Sequence, residues 1–349
     1  MGNILKFDTL NSFLRLSKRR LAQGPIALIF VEDDIEIRST IAHHLMRGFR
    51  SILVFVPKGI AHPDGFAPEV HSIRYDTHSE EAVTCAINRI ILWAPDTWMY
   101  YCYNAEYLFY PFCETRSISE LLAFNTQEER AAMLTYTIDL YAADLSQNPN
   151  AVCTQTAQID SSGYYAQTRV DPDNHNFPKE RQLDFFGGLR WRFDQYVPNA
   201  QRKIDRVGLF KSKPGLQLHP DDTFNEPEYN TYTGLWHNSP SATILSFRAA
   251  KALLINAASC AAIDRFDWPH SVPFKWHSEQ LLALGLMETG QWFSPSMPVP
   301  GRAALEVFLL RHAQNMKATV NANNLTRGKG TGIRSQINRC AANRLKRRV

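Results

Sequence analysis

The stretch from Pro25 to Val56, PIALIFVEDDIEIRSTIAHHLMRGFRSILVFV, constrains the fold more than any other part of the chain. An apolar run, Ile26 to Val31, stops at three acids, Glu32, Asp33 and Asp34. Ile37, Ile41 and Leu45 then recur every fourth residue. They form one apolar stripe of a helix, and Gly48 is suited to end it. A second apolar run, Ile52 to Val56, follows. Two short apolar runs joined by a helix read as parallel strands with a crossover, because parallel neighbours cannot be linked by a tight turn. Ligands of open α/β sheets bind beyond the carboxyl ends of the strands, so the three acids stand where a site is expected. Their carboxylates suit hydrogen bonds from a uracil or a ribose. They equally suit the positive end of a helix dipole.

Further along, His71 to Tyr75 reads as a third strand, and Val83, Ile87, Ile90 and Ile91 share one helix face. Trp98 to Tyr103 (WMYYCY) is aromatic and strand-forming, and an extended run closes at Leu108 to Pro111. Ser117 and Glu120 have the spacing of a capping box. Gln127 to Leu145 reads as a longer helix. Residues 146–180 are rich in Asn, Asp, Ser, Gly and Pro and read as loops with few strands. Ile204–Phe210 and Ala242–Phe247 read as strands, with a polar loop carrying Asp221, Asp222 and His237 between them. Phe247–Ile263, Ser278–Leu286 and Ala303–Met316 read as helices. At the start, residues 1–24 hold an apolar helical spacing from Ile4 to Leu16, followed by Lys18, Arg19 and Arg20. A helix packed on the domain is expected there.

The chain of 349 residues is 44% hydrophobic and 21% charged, enough for one large core. No segment has the roughly 18 uninterrupted apolar residues of a membrane helix. Lys6, Asp8 and Asn11 interrupt any signal-peptide core. Six scattered cysteines without a CxxC pair suggest free thiols in a reducing, cytoplasmic compartment. The net charge of +4 belongs to the tail. Lys317 to Val349 carries nine of the 38 basic residues and no acid, which leaves 29 bases against 34 acids in the body. Such a tail suits nonspecific contact with an anionic membrane surface, and no motif for specific nucleic-acid recognition flanks it.

No GxSxG, HExxH or Gly-rich phosphate loop between a strand and a helix is present. Adjacent His43 and His44 point to different helix faces and do not easily share a metal, so one in the core and one in solvent is expected. Arg190-Trp-Arg192 offers planar stacking and charge for sugar, phosphate or nucleic acid, and equally suits a structural arginine–aromatic contact.

Val31-Glu-Asp33, the helix ending IAHHLMRGF and the strand SILVFV resemble the start of a family 2-type glycosyltransferase domain. Trp98 to Pro111 resembles that family's aromatic strand ending in Asp-x-Asp-Glu-Phe-Leu. Arg202–Lys211 and Ala242–Arg248 resemble two later strands, so the resemblance spans roughly residues 25–250. It implies an α/β chain with a GT-A-like nucleotide-binding sheet, helices on both faces and a helical C-terminal extension. The implied division is an N-terminal helix over 1–24, the transferase domain over 25–300, a terminal helix over 301–316 and a basic tail over 317–349.

The implied activity moves a sugar from a nucleotide-sugar donor to a hydroxyl of a glycan or lipid-linked acceptor. In the family the Asp-x-Asp carboxylates hold Mn²⁺ or Mg²⁺ on the donor diphosphate, and hard cations of this kind need oxygen ligands. Here Tyr103 and Ala105 stand at the two Asp positions, Ser246 stands for a closing His, and Glu106 alone matches. Glu106 is therefore the remaining metal position. Glu32, Asp33, Asp34, Lys58, Glu106 and Arg190 are the expected nucleotide-sugar contacts, with Lys58 offsetting phosphate charge. Asp222 and His237 are the expected groups to deprotonate the acceptor. Two alternatives stand beside this reading. One is a binding or scaffold protein that keeps the fold without catalysis. The other is a nucleic-acid-associated protein acting through the basic tail.

Overall fold

The computed structural model describes residues 5–21 and 24–292. The expected terminal helix over 301–316 and the basic tail over 317–349 lie outside the described residues. The chain begins with β1 (Leu5–Phe7), α1 (Leu10–Leu21), β2 (Ile26–Phe30), α2 (Ile37–Met46), β3 (Ser51–Val56), β4 (Val70–Arg74) and α3 (Ala82–Trp93). It continues with β5 (Trp98–Tyr103), β6 (Glu106–Phe109), α4 (Ile118–Gln127), β7 (Ala132–Asp139), β8 (Tyr141–Ala142), β9 (Ala157–Asp160), β10 (Tyr165–Asp171) and β11 (Phe177–Phe186). The remainder is α5 (Gly188–Arg192), β12 (Asp205–Lys211), β13 (Ala242–Ser246), α6 (Arg248–Ile255), α7 (Ala257–Cys260), β14 (Ser271–Pro273) and α8 (Ser278–Ala283).

Nine strands form one mixed sheet in the order β1-β4-β3-β2-β5-β12-β7-β13-β6. The run from β1 to β5 is parallel. Strand β12 then enters antiparallel to both β5 and β7, while β7 and β13 are parallel. Alternate side chains of β2 feed opposite faces. Ile26, Leu28 and Phe30 join the cluster holding Phe13, Ile87 and Ile90 from α1 and α3. Ala27, Ile29 and Val31 join the cluster holding Ile41, Ile118 and Leu121 from α2 and α4. Helices therefore cover both faces, which is why the strands read as unbroken apolar runs.

Several sequence expectations match the structure closely. Gly48 follows the end of α2 with φ +91, a left-handed conformation that glycine adopts without a Cβ clash. Ser117 and Glu120 close a reciprocal capping box on α4. Helix α1 packs on the domain through buried Leu10, Phe13 and Leu14, with Leu16 outward. Strand β1 was not foreseen and extends the sheet beside β4.

Four expectations are corrected. The helix read over Gln127–Leu145 is the central strand β7, buried at all eight positions. Leu134-Thr-Tyr-Thr-Ile-Asp139 alternates apolar and polar residues, a strand pattern that the helix reading passed over, and its two threonines are buried with the rest. The loop region 146–180 contains β9, β10 and the start of β11, and β10 and β11 form an antiparallel pair. The helix read over Phe247–Ile263 breaks at Asn256, whose side chain caps α7 by accepting the Ala258 N–H at 3.0 Å.

His43 and His44 are both buried, rather than one facing solvent. His43 Nε2 meets the Leu108 carbonyl at 2.8 Å and His44 Nδ1 meets the Thr40 carbonyl at 2.7 Å. A backbone carbonyl thus satisfies each ring in the core. Burial pushes the His44 pKa from 6.5 down to about 4, and that of His43 also well down. Below pH 6.5 the unfolded chain takes up protons that the folded chain refuses. Stability is therefore expected to fall as pH drops from 6.5 toward about 4. Each unit of depressed pKa corresponds to about 1.4 kcal/mol. Urea midpoints measured across this window should fall less steeply for His44→Leu than for the native chain.

Candidate functional site at the carboxyl edge of the sheet

From β2 the chain winds outward to β3 and β4, then returns to β5 on the other side of β2. That reversal makes the carboxyl ends of β2 and β5 a topological switch point, the kind of place where doubly wound sheets take ligands. The acidic turn Glu32–Asp34 forms one side and Tyr103–Glu106 the other. Buried Asn104 stitches the two sides together. Its Oδ1 accepts the Glu32 N–H at 2.8 Å, and its Nδ2 donates to Asp33 Oδ1 at 2.6 Å and to the Ile35 carbonyl at 2.8 Å.

The acids do not meet a helix dipole, because α2 starts at Ile37 and has no acid in its first turn. They meet cations from the first turn of α6 instead. Arg248 Nε and Nη2 grip Glu32 at 2.7–3.0 Å, and Lys251 Nζ reaches Asp33 Oδ2 at 2.7 Å. The Arg248 guanidinium lies 3.7 Å from the centroid of the Tyr103 ring. Arg206, at the start of β12, stands 5.7 Å from that ring and 5.1 Å from Tyr101. Cation–π contact of this kind suits arginine's flat, weakly hydrated group. Asp34 and Lys58 are exposed nearby, Asp34 on the acidic turn and Lys58 on the loop after β3.

Glu106 lies beneath, 1% exposed. Its Oε2 takes Arg206 Nη2 at 2.7 Å and the Tyr103 N–H at 2.9 Å, and its Oε1 takes the Ser246 hydroxyl at 2.9 Å. Burial alone would raise its pKa, but the Arg206 charge and these hydrogen bonds hold it below the ordinary carboxylate value. Both oxygens are engaged, and the neighbouring Tyr103 and Ala105 offer no carboxylate. This donor set does not fit a hard divalent ion, which needs several free oxygens. Among the described residues no group of three or more His, Cys, Asp or Glu is arranged to hold a metal.

Farther along the same edge, Asp139 ends β7 and is in register with Ser246 on β13. Strands β7, β13 and β6 are neighbours, so Asp139 and Glu106 stand on strands about 10 Å apart. The turn Gly187-Gly188 closes over Asp139. Gly188 has φ +63, and a Cβ there would fall 2.7 Å from Asp139 Oδ2, so only glycine lets the backbone come this close. The Leu189 N–H donates to that oxygen at 2.9 Å. Oδ1 makes no hydrogen bond and faces Arg190 Nε at 3.7 Å. Burial pushes the Asp139 pKa up to about 6. The side chain is 1% exposed, so the carboxylate lies beneath the edge under the Gly187-Gly188 turn, and a pKa near neutrality makes it a candidate base only if that turn opens.

The structure separates the two residues expected to deprotonate an acceptor. Asp222 accepts the Tyr101 hydroxyl at 2.8 Å, and the Tyr101 ring carries Arg206. His237 sits beside Glu128 at 3.6 Å, near the amino end of β7 and thus the opposite edge of the sheet. Arg190 stands with Asp139, its Nη1 donating to the Lys203 carbonyl at 2.7 Å. Sequence reasoning missed Asn104, Asp139, Arg206, Arg248 and Lys251. For Asp139 a signal existed. Thr135-Tyr-Thr-Ile138 is a strand-forming run stopped by an acid, as Ile26–Val31 is stopped by Glu32.

Compared with known proteins, the chain matches no family model, and no curated protein matches it. Among the described residues, no helix is long and apolar enough to cross a membrane.

Proposed function

We propose that this chain binds a nucleotide-sugar at the carboxyl ends of β2 and β5 and transfers the sugar to an acceptor hydroxyl without a divalent ion. The observation that carries this reading is the pair Arg206 and Arg248 against the Tyr103 ring at the winding reversal, with Lys251 on Asp33 of the acidic turn. The sheet supports a GT-A-type reading through its parallel run from β4 to β5 and the antiparallel entry of β12. A donor diphosphate competes with Glu32 for the Arg248 fork, since guanidinium binds phosphate and carboxylate with the same paired geometry. Lys251 and Arg206 add positive potential where charge builds on the leaving group. The acceptor oxygen attacks the anomeric carbon, and its proton passes to a base at the carboxyl edge; Asp139 takes that role once the Gly187-Gly188 turn and Arg190 move off its buried Oδ1. The bond from that carbon to the diphosphate breaks, and its electron pair leaves with the nucleoside diphosphate.

Calorimetric titration with UDP- and GDP-sugars, in Mn²⁺ and in chelator, tests the binding step. The same affinity is expected in both, with a loss of at least about tenfold in Arg248→Ala, typical of a charged hydrogen-bonding group. No binding to any of these donors would remove the reading. A second reading is favoured by Tyr103 and Ala105 at the Asp-x-Asp positions. There the fold keeps a nucleotide-sugar and no longer transfers it. Undiminished binding with no release of nucleoside diphosphate in the presence of varied acceptors selects that reading.

A further inference from the structure

At the carboxyl end of β7, the turn Gly187-Gly188 covers Asp139 with a short strip of bare backbone. Both ends of the strip are fixed. Phe186 is bridged to Lys203, and Leu189 is wholly buried. Between them the glycines have φ +156 and +63 and no side chains to pack. Each makes a close approach. A Cβ on Gly188 would fall 2.7 Å from Asp139 Oδ2, and one on Gly187 would run into the Tyr164 ring. Glycine has the widest range of backbone conformations open to it, so the strip bends without moving its anchored neighbours.

The group beneath gives it a reason to bend. Asp139 accepts the Leu189 N–H, but Arg190 Nε stands 3.7 Å away, beyond hydrogen-bond reach. The other charged groups around it are turned elsewhere. Arg190 Nη1 donates to the Lys203 carbonyl at 2.7 Å, and Arg192 pairs with Asp160 at 3.0 Å. Arg248 and Lys251 of α6 hold the acidic turn, and the Ser246 hydroxyl on β13 goes to Glu106. Asp160 on β9 adds a second negative charge, and Tyr164 closes the remaining side. A buried carboxylate placed like this is more stable with its proton than without it, in keeping with a pKa pushed up by burial. Letting water in past a displaced turn relieves the charged form alone.

We propose that the Gly187-Gly188 turn is a lid over Asp139, shut while this acid carries its proton and opened when it ionises. The lid uncovers the carboxylate in the state that can accept a proton and covers it in the state that cannot. Its use in catalysis rests on the transfer reaction proposed above; the movement itself needs no donor.

Hydrogen exchange at the Leu189 amide, followed by mass spectrometry on the full chain without donor, tests it. Rates are corrected for the intrinsic pH dependence of amide exchange. Shutting the lid takes up a proton, so its stability is present at low pH and is lost as pH rises through about 6. With an ordinary value of 3.8 in the open state, protection is expected to drop about tenfold from pH 5 to pH 7.5. Asp139→Asn cannot ionise and should stay protected at both pH values. Gly188→Ala, whose Cβ displaces the turn, should be poorly protected at both. Native protection that is level or rises with pH overturns the proposal. So does an Asp139→Asn chain that repeats the native drop, or a Gly188→Ala chain as protected as the native one. A lid that opens in a chain binding no nucleotide-sugar supports this proposal and removes the transfer reading alone.

Discussion

Replacing Arg206 with methionine is expected to destabilise the folded chain by about 3–5 kcal/mol, the usual cost of leaving one member of a buried ion pair without its partner. Glu106 and Arg206 are both nearly inaccessible, at 1% and 6% exposure, and their charged atoms are 2.7 Å apart. The remaining partners of Glu106 are the Ser246 hydroxyl and the Tyr103 N–H, which stabilise a carboxylate but do not cancel its charge. Methionine keeps the length and apolar bulk of the side chain, so packing against Tyr101 changes little. Removing both charges in Glu106→Gln/Arg206→Met should recover much of the loss, because no buried charge is then left alone. Urea denaturation followed by circular dichroism measures both variants. A single variant that loses less than about 1 kcal/mol, the scale of an exposed pair, would show that the pair is not desolvated as described.

Asp139→Asn is expected to lower sugar transfer by about 10²- to 10⁴-fold, the contribution of a positioned general base, while nucleotide-sugar affinity stays within a few-fold of native. Asparagine keeps the shape and can still accept the Leu189 N–H, so the Gly187-Gly188 turn has no reason to move. It lacks the basic oxygen. The same assignment gives a pH dependence. Asp139 must be ionised to accept a proton, so the rate rises with pH through about 6 and flattens above it. Rates of nucleoside diphosphate release across this range, in the native chain and in Asp139→Asn, check both expectations. A native profile that is level through pH 6, or a variant with more than a third of the native rate, would return the role of base to another group.

The half of the fold that sequence conveys best is the half that is locally periodic. Ile37, Ile41 and Leu45 mark α2 because they line one side of a helix, and Ile26–Val31 marks β2 because acids and a proline bound it. Strand β7 carries a legible signal, since Leu134-Thr-Tyr-Thr-Ile-Asp139 alternates apolar and polar residues, but the long helix read over Gln127–Leu145 overrode it. Losing β7 also hid Asp139, since an acid inside a presumed helix has no reason to face a ligand edge. The cationic partners were hidden for a different reason. Arg248 lies 216 residues from Glu32, and Lys251 lies 218 from Asp33. The pairing of β13 with both β6 and β7 brings α6 to the acidic turn, and pairing between distant strands leaves no local trace in sequence. The acids Glu32 and Asp33 stand out in the sequence, while the cations that pair with them in the fold do not.

The central claim is that a nucleotide-sugar lies between Glu32–Asp34 and Tyr103–Glu106, held by cations and not by a metal. A crystal structure of the chain soaked with a UDP- or GDP-sugar in chelator tests it most directly. The account predicts density for the diphosphate at this switch point, with the Arg248 guanidinium turned from Glu32 onto phosphate oxygens and Lys251 beside it. Density elsewhere, or Arg248 still gripping Glu32 at saturating donor, would contradict it.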